Sequence, residues 1–136
     1  MKSARPNSEL QLGPKVRNLI FILVGVAFFL LKRRYEGPLD TIVHSYLGNL
    51  SVSFAVYFVF ANLELPQKVR RLVPAAAALV VVELFEALDG FGIMANTYDP
   101  VDFVVNAAGI ALALWLDTVS GAVRADDVRT KPSSGV

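Results

Sequence analysis

Cysteine is absent from this 136-residue chain, which removes disulfides, thiolate nucleophiles and cysteine-ligated metals from consideration. Histidine occurs once, as His44, so multi-histidine zinc sites are excluded too. Charged residues make up only 18% of the chain against 54% hydrophobic ones, well to the apolar side of soluble domains. A net charge of +1 gives no basic surplus for binding nucleic acid. What remains is an apolar chain long enough for one compact domain, with chemistry confined to the bilayer or its edges.

The apolar residues fall into four blocks. VRNLIFILVGVAFFLL is short for a span, but Lys15, Arg17 and Lys32-Arg33-Arg34 flank it and can snorkel, which gives an expected helix over 16–34. KRRY follows it in place of a small-residue cleavage site, so it reads as an uncleaved signal anchor. The second block, 41–62, mixes Ser, Gly and Asn with aromatics, as a helix packed on neighbours does. The third, 72–88, carries Pro74 in its first turn, where a missing N–H is harmless. The fourth, 101–119, ends near Trp115, a residue suited to an interfacial belt. The pattern predicts an all-α integral membrane protein: a cytoplasmic segment 1–15, a four-transmembrane-helix bundle over 16–119, and a mobile polar tail over 120–136.

With four spans, ten Lys and Arg residues lie on the side of the termini and three on the other. This bias places both termini in the cytoplasm of a multi-pass protein of the cell's inner membrane. The opposite face then carries Glu36, Asp40, Glu83, Glu86, Asp89, Asp99 and Asp102 against only Lys32, Arg33 and Arg34. Asp40 and His44 are spaced i,i+4, Glu83 and Glu86 i,i+3, and Asp102, Asn106 and Gly109 i,i+4,i+7, so each helix presents one polar stripe. Polar groups facing lipid are expensive, so the stripes are expected to turn inward and meet. Gly48, Gly109 and Ala113 would allow the close approach.

Such a pocket shares protons, pairs with Arg33 or Arg34, or holds a positive charge. Its oxygen-rich donors favour a hard divalent cation, with Glu83 and Asp102 the candidate ligands, or an organic amine. Helix chemistry competes with this reading. Asp40 in PLD and Asp102 in PVD suit the first turn of a helix, whereas Glu83 and Glu86 sit in last turns, where the dipole disfavours them. His44 and Asn106 have equally ordinary roles as packing residues. Asp89, Tyr98 and Asp99 belong to a glycine-containing loop, solvated by default. PLDTIVHSYLGNL (38–50) and PVDFVVNAAGIAL (100–112) match at Pro, Asp, Val and the final Leu, which pairs His44 with Asn106 in an approximate repeat.

Asp40 and His44, Glu83 and Glu86, and the Asp102-x3-Asn106-x2-Gly109 element together resemble the VanZ-like family of small integral membrane proteins, over about residues 38–117. Glu86 stands where that family usually has Gln, and Asn96 or Thr97 stands where it commonly has Arg. The resemblance implies a four-helix fold, a prokaryotic cell-envelope setting and a site, without implying a reaction. The leading expectation is an envelope-modulating or resistance-type protein, more a binder than an enzyme. Its acidic outer pocket of Asp40, His44, Glu83, Glu86, Asp102 and Asn106 would hold a cation, an amine or a polar lipid or envelope-precursor head group. The alternatives are a metal-assisted hydrolase or transferase acting on a lipid-linked substrate, and a structural subunit with a membrane-protein partner.

Overall fold

The computed structural model describes residues 13–90 and 99–130, with side chains over 13–88 and 99–122. The expectations for the Asp89 side chain, for Asn96, Thr97 and Tyr98, and for segments 1–12 and 131–136 lie outside the described residues. The described chain is helical, with no strand in it: α1 (Pro14–Leu31), a 3-10 turn (Lys32–Arg34), α2 (Asp40–Phe60), α3 (Leu72–Gly90) and α4 (Pro100–Thr130). Three helices are long and apolar enough to cross a membrane: α1 with its 3-10 turn, α2, and α4 over Pro100–Ala122.

Helix ends follow from local chemistry. Pro14 opens α1, where its missing N–H is harmless, and Asp99 and Pro100 open α4. Leu39, at the N-cap of α2, is the one described non-glycine residue with positive φ (71°). The Tyr35 hydroxyl closes this connector by donating to the Pro38 carbonyl at 2.8 Å. A β-carbon at Gly37 would lie 2.5 Å from that hydroxyl, so a side chain there would displace the tyrosine ring. Beyond residue 119, where a polar tail was expected, α4 continues to Thr130. The segment SGAVRADDVRT holds no proline, and the next strong breaker is Pro132. At 31 residues α4 is about 46 Å long, more than a bilayer core of about 30 Å.

α2 is the hub. It packs against α1, α3 and α4, and α3 also packs against α4, whereas the backbones of α1 and α4 stay apart. Small residues set the two closest approaches. A β-carbon at Gly25 would lie 3.0 Å from both the Ser51 carbonyl and Ala55 Cβ, and one at Gly109 would lie 2.2 Å from Ser53 Oγ and 2.6 Å from the Leu50 carbonyl. The expected packing role of Gly109 is thus a direct contact with the α2 backbone, and Ala113 one turn on is fully buried. Gly48 differs, because its nearest neighbour is the end of the Lys32 side chain. Ser51 and Ser53 donate to the Leu47 and Asn49 carbonyls at 2.6 and 2.7 Å, so their hydroxyls are satisfied inside an apolar interface. Phe54, Tyr57 and Phe58 form the centre of the core, and Phe21 of α1 stacks on Phe58 at 4.6 Å.

Candidate functional site

On α3, Pro74, Ala78, Val82 and Glu86 form the buried stripe, each four residues after the last. On α4 the buried stripe runs through Asn106, Gly109, Ile110, Ala113 and Asp117. Two of the six residues expected to line an outer pocket are therefore interior: Glu86 is 9% exposed and Asn106 is 4% exposed. Glu83 lies at the edge of the α3 stripe, and its Oε2 is buried without a hydrogen-bond partner. Asp102, half-buried in the first turn of α4, sits one turn from Asn106.

Asp40 and His44 are arranged differently. Both side chains are exposed, and they meet each other across one turn of α2, with His44 Nε2 2.9 Å from Asp40 Oδ1. The same nitrogen lies 3.0 Å from the Tyr35 carbonyl. Both neighbours are acceptors, so Nε2 carries the proton and donates it to the Tyr35 carbonyl, with the Asp40 carboxylate beside it. The structure thus ties this pair to the α1–α2 connector. The approximate repeat pairs His44 with Asn106, yet one is exposed and the other buried.

Asp99, expected by default in a solvated loop, is the cap of α4. Its Oδ1 accepts the Val101 N–H at 2.9 Å and its Oδ2 accepts the Tyr46 hydroxyl at 3.2 Å, which joins the start of α4 to α2. Among the described residues no three His, Asp or Glu side chains are grouped to hold a metal ion.

The densest polar cluster lies at the other end of the bundle. Asp117, only 5% exposed, forms an ion pair through Oδ1 with Arg17 Nη2 and accepts the Tyr57 hydroxyl on Oδ2 at 3.0 Å. Arg17 also donates from Nη1 to Ser120 Oγ at 3.0 Å, and from Nη2 and Nε to Asn18 Oδ1 at 2.8 and 3.2 Å. The Asn18 amide in turn donates to the Ala61 carbonyl and to Asn62 Oδ1. Arg71 Nε approaches Asp117 Oδ2 to 3.7 Å, and it is buried with no hydrogen-bond partner. A cavity of about 590 Å³ opens here, bordered by Lys15, Arg17, Asn62, Glu64, Arg70 and Asp117.

Comparison with models of known families, with curated proteins and with solved structures finds no match to this chain. The assignment of function therefore rests on the geometry and on the resemblance described above.

The sequence signal for this cluster was a matter of depth. Arg17 and Asn18 lie one turn into α1, and Asp117 closes the apolar part of α4, so opposite charges stand at one level near the same end. Reading Arg17 only as a snorkelling flank hides that pairing.

Proposed function

We propose that the protein is a VanZ-like, envelope-modulating binding protein of the cell membrane, with α3 as a fourth span, and that its outer polar layer receives a positively charged group. The observation that carries this reading is Glu83 Oε2, a buried carboxylate oxygen with no donor, one turn from buried Glu86 on a helix packed against the Asn106 face of α4. Such an oxygen is costly to leave unpaired, and a cationic ligand offsets that cost. An ammonium group, with three N–H donors, suits a lone buried acceptor oxygen, so the reading takes the ligand to be the ammonium of a polar head group. His44 is exposed and engaged with Asp40 and Tyr35, apart from the interior carboxylates, which supports binding over hydrolysis.

The test is thermal unfolding in mild detergent of wild type, Glu83→Gln and Asp102→Asn, each with and without millimolar ethanolamine or magnesium. The proposal expects ethanolamine to raise the midpoint of wild type alone, and Glu83→Gln to be no less stable than wild type without ligand. If both variants lose stability and neither additive shifts wild type, the carboxylates are internal structural partners and the reading fails.

A further inference from the structure

The basic cavity at the inner end has an excess of positive charge that its own carboxylates do not absorb. Lys15, Arg17 and Arg70 border it with Glu64 and Asp117, and Arg71 reaches Asp117 from beside it. Asp117 is already taken by Arg17 and Tyr57, and Glu64 meets only Lys15, in a fully solvated pair of little strength. Arg17 is held on all sides, so it forms a fixed wall. Arg70 and Arg71 are different. Their guanidinium groups converge on Gly121 of α4, where a β-carbon would lie 2.8 Å from Arg71 Nη2 and 3.7 Å from Arg70 Nη2. Two neighbouring guanidinium groups, Arg70 on the border of the cavity and Arg71 beside it, form a receptor for an oxyanion.

A separate apolar cleft of about 270 Å³ lies between α1 and α4, whose backbones do not pack directly on each other. Val24 and Phe28 form one wall, Leu112 and Leu116 the other, and Phe54 of α2 lies at its base. We propose that this basic cavity and the apolar cleft together bind an anionic phospholipid, its phosphate between Arg70 and Arg71 and one acyl chain along the cleft. The Lys/Arg bias places the cavity at the cytoplasmic leaflet, where basic pockets between helices recognise anionic head groups.

The experiment uses the full chain purified in mild detergent. Native mass spectrometry counts lipids retained from mixtures of phosphatidylglycerol and phosphatidylcholine, and melting is followed in nanodiscs of phosphatidylcholine with or without phosphatidylglycerol. Wild type is expected to retain phosphatidylglycerol over phosphatidylcholine by about tenfold or more, as two arginines near the surface would supply. Arg70→Gln with Arg71→Gln should abolish most of that preference, whereas the charge-matched pair Arg33→Gln with Lys68→Gln should keep it. Leu116→Trp, which fills the cleft without changing charge, should weaken retention as well. Should the arginine pair fail to fold, Gly121→Leu occupies the point of convergence with both charges intact and should lose the preference. Equal retention of the two lipids, equal loss in the control pair, or full retention in Gly121→Leu overturns the proposal. So does stabilisation by inorganic phosphate alone that matches the lipid, since that outcome assigns the site to a free anion.

Discussion

Arg17 of α1 and Asp117 of α4 form an ion pair between helices whose backbones do not touch. The guanidinium bridges the two helices, and the Tyr57 hydroxyl fixes the second carboxylate oxygen from α2. One carboxylate of α4 thereby links α1 to the hub helix.

Asp117→Asn should be among the most damaging single substitutions. It leaves Arg17 without its counter-charge, and breaking a buried pair of this kind costs about 3–5 kcal/mol. Pairing it with Arg17→Gln should recover part of the loss, because only Arg71 then faces position 117 without a counter-charge. A double-mutant cycle read by thermal or denaturant unfolding in detergent checks this; additive losses would show that the two residues act independently.

Gly109→Ala should destabilise the bundle by about 1–3 kcal/mol, because the new methyl group meets the α2 backbone at the Leu50 carbonyl. Gly48→Ala should be milder. Its β-carbon meets only the flexible end of Lys32, which can swing away. The comparison is made by melting both variants under one condition, and a reversed order would contradict the α2–α4 contact.

At Leu39 the sign turns round. The residue holds φ 71° with its side chain 69% exposed, so it has a strained backbone and little packing to lose. Leu39→Gly should raise stability by about 1 kcal/mol. Leu39→Val, branched at Cβ, should lower it, and unfolding midpoints of the two variants test the pair.

Asp99 gives a prediction about the start of α4. Asp99→Ala removes both the cap on Val101 and the acceptor for Tyr46, and should cost about 1–2 kcal/mol. Asp99→Asn keeps an oxygen for either role and should retain most of the stability. Amide hydrogen exchange at Val101 should accelerate in the alanine variant alone.

The helices were legible because their apolar blocks are bounded by strong signals. Pro14, Pro74 and Pro100 lie in first turns as their lack of an N–H requires, and the spacing of Asn106 and Gly109 foretold their shared buried face. The layer of outer acids was legible only in part. Helical spacing says that Asp40 and His44 share a face, but it does not say whether that face lies inside the bundle or above it, and the Tyr35 connector settles them at the exposed end. The extension of α4 past residue 119 was hidden because polar helix and polar tail have similar composition. The Asp117 network was hidden for a different reason. Its members lie far apart in sequence, and only the packing of both α1 and α4 on α2 turns residues of equal depth toward one another.

The ion pair also has a place in time. Arg17 and Asp117 are 100 residues apart, so the guanidinium emerges from synthesis long before its partner exists. Until α4 arrives, Arg17 has every reason to remain at the aqueous rim, which anchors the near end of α1 at the surface while the next helices assemble. The arrival of Asp117 supplies that cation with its counter-charge between the helices. A chain that stops short of residue 117 leaves Arg17, Arg71 and the Tyr57 hydroxyl without their common acceptor, so an incomplete protein announces itself by polar groups exposed to lipid.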